Sequence, residues 1–276
     1  MRRLAFTPVS VLIISSVLMQ SACSGGAARV DQNKSRSGGT DPGSAVNSSA
    51  APKPEPSVVA ATHPTAPYSS FKGCNPYYPL APGSKASYSI ANPSGPIGAI
   101  TVEVTESNEK GKKVFVEIAK EIVARSTTPG TQTTTRKYVC DGDKIDVVSS
   151  TIESKNPKGE TGTLEGQFRS TAVVMIAPSS LKPGASWSYI MEAVMKLHDR
   201  PERKQDTFAS AFEVKGPEDV TVTAGTFHAI RIAVKVNGHE ADDYYAPGVG
   251  LVRRRLSDGT TWELKEYSGL TPLEKP

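Results

Sequence analysis

The sequence predicts an all-β fold of antiparallel strands that form a strongly curved sheet, a half-barrel or a sandwich. Segments in which β-branched or aromatic residues alternate with other residues recur from residue 67 onward, as at 99–105 and 230–236. An Asn-Gly turn at 237–238 and an Asp-Gly turn at 258–259 are typical of the connections between them. Because parallel strands need crossovers of about a dozen residues or more, such closely spaced strands are expected to pair antiparallel.

The predicted domain, 67–276, contains an internal repeat. LAPG at 80–83 and LKPG at 181–184 are each followed, at the same distance, by Ser-Tyr, and the offset between the two copies is 101 residues. We therefore expect about thirteen strands arranged as two similar meanders, at about 74–176 and 177–270. The alternative is that Leu-x-Pro-Gly turns recur before strands by chance.

The first 22 residues are a predicted signal peptide. Two arginines precede a mostly apolar segment from Leu4 to Met19, which is short for a membrane span of roughly 20 residues. Small residues follow at 21–22, and Cys23 comes next. This order resembles the lipobox of bacterial lipoproteins, with Gln20 at the position where that family usually has Leu. The resemblance implies that Cys23 is lipidated and becomes the first residue. Ordinary secretory cleavage nearby is the alternative.

Residues 23–66 are a predicted disordered tether that carries the lipid. They are rich in Gly, Ala, Ser, Thr and Pro and contain no large aromatic residue, so they cannot bury enough apolar surface to offset the entropy of ordering. The lipoprotein resemblance implies three acyl chains on Cys23, and a single chain would give only marginal membrane binding. With Ser24 after the cysteine, it also implies an outer-membrane location in a bacterial envelope, facing the periplasm.

Two cysteines remain once Cys23 is assigned to the lipid. In an exported protein, Cys74 and Cys140 are expected to form a disulfide. It would close a loop of roughly 65 residues and stabilise the fold by about 4 kcal/mol in the chain-entropy model. Two reduced thiols are the alternative.

Composition and motifs exclude several classes of protein. The net charge of +4 falls to +2 without Arg2 and Arg3, which is too small for a nucleic-acid footprint. The mean hydropathy of −0.32 excludes a polytopic membrane protein. The sequence contains no G-x-S-x-G, C-x-x-C or H-E-x-x-H motif, so we expect no catalytic residues, cofactor or metal. An enzymatic alternative would require His228, His239 and Asp242 to converge within about 3 Å.

A candidate face for an apolar ligand consists of Trp187, Tyr189, Met191, Met195 and Trp262. The first four share one face of a predicted strand, and the last lies on another strand. Core packing accounts for this pattern. If the sheet is curved and single-layered, its concave face would instead line a cleft for an acyl chain or an apolar peptide.

Three segments carry a family resemblance: YYPLAPGSKASY at 77–88, VTAGTFHAIRI at 222–232 and YYAPGVGLVRR at 244–254. They are similar to a group of bacterial envelope lipoproteins with uncharacterised β-domains, which are distantly similar to the half-barrel lipid carriers of the periplasm. We therefore expect a non-enzymatic binding or interaction module for a lipid, another apolar ligand or an envelope protein. The alternatives are a scaffold that pairs through its strand edges and, least favoured, a hydrolase using histidine and carboxylate.

Overall fold

The computed structural model describes residues 65–274, with the exception of 110, 124–129, 158, 160, 169–171 and 198–199. The predicted signal peptide, Cys23 and the predicted tether as far as residue 64 lie outside the described residues. Within the described ranges, no helix has the length and apolar character needed to cross a membrane.

The described part of the chain forms thirteen strands and two single-turn 3₁₀ helices, the latter at Tyr68–Ser70 and Pro178–Ser180. The strands are β1 (Lys85–Asn92), β2 (Gly95–Glu109), β3 (Lys112–Val123), β4 (Gly130–Asp141), β5 (Lys144–Lys155), β6 (Thr161–Phe168), β7 (Ala172–Met175), β8 (Ser186–Leu197), β9 (Arg200–Val222), β10 (Gly225–Val236), β11 (His239–Ala246), β12 (Gly250–Leu256) and β13 (Thr261–Ser268).

Twelve of these strands close into a barrel. Hydrogen-bonded neighbours follow the order β4-β3-β2-β1-β13-β12-β11-β10-β9-β8-β6-β5, and β5 pairs with β4 to complete the circle. β7 pairs with the first part of β5, next to β6. All of these pairings are antiparallel, which confirms the predicted fold class. The sheet curves so strongly that β4 and β5, at its two ends, pair with each other.

The two Leu-x-Pro-Gly turns make the same backbone hydrogen bonds. Gly83 donates to the Val104 carbonyl and Gly184 donates to the Val214 carbonyl, each at 2.8 Å. Both glycines have a positive φ, 82° and 87°, which residues with a Cβ atom rarely adopt. The repeated motif therefore starts β1 and β8 in the same way. The division into two duplicated halves stays a prediction.

Buried apolar side chains form two clusters. One includes Tyr138, Ile145, Ile152, Met191, Val214 and Ile232. The other includes Tyr88, Ile90, Ile100, Val252, Trp262 and Leu264. The boundary between the two clusters crosses individual strands. In β3, for example, Phe115 belongs to the first cluster and Ala119 to the second.

A segment before β1 is fastened to the barrel. Cys74 and Cys140 form the predicted disulfide, with their Cα atoms 5.9 Å apart. The fully buried Asn75 donates from Nδ2 to the carbonyls of Asp143 at 2.8 Å and Ile176 at 3.0 Å. These contacts hold the nearby Tyr77 and Tyr78 against the barrel.

The pairing of β12 with β13 is short. It covers only residues 253–255 of β12 and 261–263 of β13. Beyond it, the tip of the β9–β10 hairpin lies against both strands. Ala224 donates its backbone N–H to the Leu264 carbonyl at 3.0 Å, and the Arg253 guanidinium donates to the Thr221 carbonyl. The two strands thus separate at one end of the barrel, and the β9–β10 hairpin contacts both of them there.

Candidate functional site

The predicted apolar face lies mostly in the packed interior. Trp187 stacks on Phe212 with ring centroids 5.0 Å apart, and Tyr189 lies 5.7 Å from the same ring. Met191 is 2% exposed. Met195 lies in β8 opposite Leu164 of β6, and its side chain is outside what the structure describes. Ligand binding at these four positions stays a prediction, and their described contacts are those of a core.

Trp262, the fifth residue of that face, lines an interior cavity of about 130 Å³ where the two clusters meet. The volume corresponds to about four water molecules of the liquid and is below the roughly 300 Å³ at which pockets for drug-sized ligands begin. The apolar residues of its lining include Ile100, Val102, Val104, Ala119, Val249 and Leu251. The polar and charged residues of its wall include Tyr78, Tyr88, Glu117, Arg136, Tyr245 and Arg254.

One buried ion pair in this wall joins β3 to β4. The register places Glu117 opposite Arg136, and the Arg136 Nη1 donates to Glu117 Oε1 at 3.1 Å. The hydroxyls of Tyr78 and Tyr138 donate to the two carboxylate oxygens, each at 3.2 Å, and lie 2.8 Å from one another. Burial, with Glu117 next in effect, raises the pKa of both tyrosines above the ordinary value. Both phenols therefore stay protonated and remain donors.

A second buried ion pair joins β11 to β12. Arg254 donates from Nε and Nη2 to the two oxygens of Asp243, both at 2.6 Å. The Asp243 side chain is 1% exposed, and it also accepts a hydrogen bond from the Tyr245 hydroxyl at 3.1 Å. The Arg254 guanidinium lies 4.8 Å above the Trp262 ring. Burial opposes the charge of Arg254, but Asp243 outweighs it and raises the pKa of Arg254.

Glu121 is a third acidic residue inside the barrel. It lies between Ile100 and Gln132 in the sheet and is 3% exposed. Neither of its carboxylate oxygens accepts a hydrogen bond from the described residues. Burial raises the pKa of Glu121 to about 8, and Arg254 opposes part of the rise. Glu121 is therefore mostly protonated at neutral pH and adds little charge to the interior.

The residues of the enzymatic alternative do not converge. The His228 Nδ1 lies 2.7 Å from Asp219, at the tip of the β9–β10 hairpin. Asp242 accepts both hydrogen bonds of Arg231 on the outer surface. His239 pairs with Val236, eight residues along β10 from His228, which corresponds to roughly 26 Å of extended strand. The described ranges contain no group of three or more His, Cys, Asp or Glu residues that could hold a metal.

Sequence reasoning did not single out Glu117, Glu121, Arg136 or Arg254. A signal was present, because Glu117 and Glu121 share the strand parity of the buried Phe115. A charged residue in an alternating strand is normally solvated, so parity alone did not distinguish these carboxylates from surface charges.

We expect the two Arg–Asp pairs of β10–β12 to differ sharply in their effect on stability. Arg254→Met leaves Asp243 buried without its counter-ion and should lower the free energy of unfolding by about 3–5 kcal/mol. Arg231→Met removes a half-exposed pair of the same bidentate geometry on the outer surface and should cost about 1 kcal/mol or less. Urea unfolding followed by tryptophan fluorescence measures both. Equal losses would contradict the burial argument.

We also expect Glu121 to make stability dependent on pH. From about pH 4.5 to about 8, the folded chain keeps a proton on this side chain that the unfolded chain releases. Its contribution therefore lowers the free energy of unfolding as pH rises, by about 1 kcal/mol per pH unit. Glu121→Gln should remove this slope, and the exposed-site control Glu153→Gln should keep it. Urea unfolding across that pH range decides, and an unchanged slope in Glu121→Gln would refute the assignment.

Comparison with known proteins places this barrel in a family. No curated protein matches the chain. A candidate lipoprotein from Parabacteroides distasonis aligns at 11% identity and a TM-score of 0.44. A candidate exported protein with a YmcC-like fold from Bacteroides fragilis aligns at 11% identity and 0.47. Each alignment covers 71% of this chain and 100% of the other. The DUF3108-like family model matches residues 82–265, which are 184 of the 276 residues, and the chain therefore belongs to the DUF3108-like family.

Proposed function

We propose that this chain is a lipid-anchored protein of the bacterial envelope whose barrel is a non-enzymatic binding module for a small amphipathic ligand. The observation that carries the proposal is the cavity, whose lining combines apolar residues with members of the two buried ion pairs. Protein interiors are normally close-packed, and buried charges are costly. A cavity beside buried charges is better suited to a ligand than to a purely structural core.

The size of the cavity limits the ligand. About 130 Å³ accommodates a small molecule or one end of a longer one. A carrier that enclosed a whole acyl chain would need a continuous apolar space, and the apolar face of β8 is occupied by stacked aromatic rings. The proposal therefore departs from enclosed lipid carriage and keeps the apolar-ligand hypothesis in a smaller form.

The other hypotheses receive less support. A scaffold that recruits partners by strand addition needs unpaired edges, and each of the twelve barrel strands has a hydrogen-bonded neighbour on both sides over at least part of its length. A hydrolase would need the histidines and Asp242 together, and their described contacts lie at separate places on the surface. An envelope protein partner remains the competing hypothesis that the binding experiment below decides.

The anchor makes a direct prediction. Cys23→Ser removes the sulfur through which the lipid would be attached and should move the protein from the membrane fraction to the soluble fraction of cells. The double variant Cys74→Ser/Cys140→Ser is the control, because it changes two cysteines and should stay on the membrane. Cell fractionation with an antibody to the barrel measures this. Membrane attachment of Cys23→Ser would refute the anchor.

The binding module makes a second prediction. Native mass spectrometry of the full chain, extracted from membranes in mild detergent, should show a reproducible added mass. Ala119→Leu fills part of the cavity and should remove that mass, whereas Val148→Leu, at a position 47% exposed on the surface, should retain it. An unliganded mass in the wild type, together with a specific crosslinked protein in cells, would replace the small ligand by a protein partner.

A further inference from the structure

The cavity wall contains more basic than acidic side chains. Its basic residues are Lys85, Arg136 and Arg254, and Glu117 is its acidic residue among the described side chains. Asp243 binds Arg254 but is not part of the cavity lining. Glu117 already accepts hydrogen bonds from Arg136 and two tyrosines. Lys85 is likewise paired with Glu103 at 3.4 Å, so each basic residue of the wall has a carboxylate partner, and the wall has few acceptor positions left.

The Arg254 guanidinium has hydrogen-bond donors that Asp243 does not use. A guanidinium carries five N–H donors in a planar fork, and Asp243 engages only the Nε and Nη2 atoms. The Nη1 group of Arg254 donates to none of the described residues, and the side chain is 11% exposed and lines the cavity. The buried indole Nε1 of Trp262, beneath this guanidinium, also has no acceptor among the described residues. Both groups are therefore hydrogen-bond donors that a ligand with acceptor oxygens could use.

The apolar residues of the cavity indicate the chemical character of the remainder of the ligand. Ile100, Val102 and Ala119 lie on the inner faces of β2 and β3 and border the same space as Arg254. We propose that the cavity binds the carboxylate of an amphipathic anion, with Arg254 as its principal donor and these apolar side chains around its carbon chain. Arginine suits such a ligand because the Nη1 hydrogens and the second Nη2 hydrogen, which Asp243 does not use, form another edge of the planar fork that matches the two oxygens of a carboxylate.

Two sources could supply this chemistry. A short free carboxylic acid would fill the cavity alone, since the volume matches only a few non-hydrogen atoms. A long-chain acid would place its head beside Arg254 and let its chain leave past Lys85, whose side chain is 62% exposed at the edge of the cavity. The inference rests on the proposed binding function, and it adds the charge of the ligand and the residue that recognises it.

The test compares hexanoate with hexanamide, which has the same carbon skeleton but no charge. Isothermal titration of the full lipidated chain in nanodiscs should show that hexanoate binds at least about tenfold more tightly. The double variant Arg254→Met/Asp243→Leu removes both buried charges together and should abolish this preference. Arg231→Met/Asp242→Leu removes the matching outer pair and should keep it. Dodecanoate that binds more tightly than hexanoate supports the long-chain source, and the reverse supports the short one.

A second variant covers the case in which the interior double variant does not fold. Arg254→Lys keeps the charge but loses the fork, and it should reduce the preference for hexanoate several-fold. Equal binding of hexanamide, or a preference unaffected by both Arg254 variants, would overturn the anion proposal and leave the binding module standing. Absence of binding by either probe, with an added mass still present in the native protein, would have the same meaning. Absence of both would end the proposed function as well.

Discussion

The interaction on which the structure depends is the burial of two ion pairs inside a closed sheet. Each buried ion loses several kcal/mol of hydration, which only a well-aligned partner offsets. Glu117 meets Arg136 and Asp243 meets Arg254 because each pair lies directly opposite in an antiparallel ladder. A slip by one residue would turn one partner to the outside and leave the other buried alone. The charges therefore select one register for β3–β4 and one for β11–β12, on either side of β1 and β13.

The cavity follows from how β12 and β13 meet. They pair over three residues and then separate, so that the β12 backbone before Arg253 has no partner in β13. The Leu251 carbonyl accepts instead from the Tyr88 hydroxyl at 2.9 Å. Val249, Gly250 and Leu251 border the cavity at this place. The hairpin tip at Ala224 bonds to the separated β13 through the Leu264 carbonyl, so the β9–β10 hairpin stabilises β13 where it is no longer paired with β12.

The local features of the fold were predictable from the sequence, and the closure was not. Alternating segments and turns such as Asn237-Gly238 predicted the antiparallel class, and the cysteine count predicted the Cys74–Cys140 bond. Closure depends on β1 meeting β13 and on β6 meeting β8, and no local pattern encodes which distant strands pair. The site was missed for a related reason. The inward parity of Arg254 has meaning only once Asp243 is known to lie opposite, and that pairing includes a bulge at Tyr244 and Tyr245.

Register selection accounts for the ion pairs but leaves the space beside them unexplained. Apolar pairs of similar volume often stabilise a core as well as buried ion pairs or better, and a cavity forfeits packing contacts on every wall. A pair that served only to align β11 with β12 would need neither the adjoining cavity nor the Arg254 Nη1 donors that Asp243 leaves unused. Fixed donors next to apolar side chains, held in place by a carboxylate outside the cavity wall, are what recognition of an anionic group requires. Under the proposed binding function, the same pair that sets the strand register also orients the guanidinium toward the ligand.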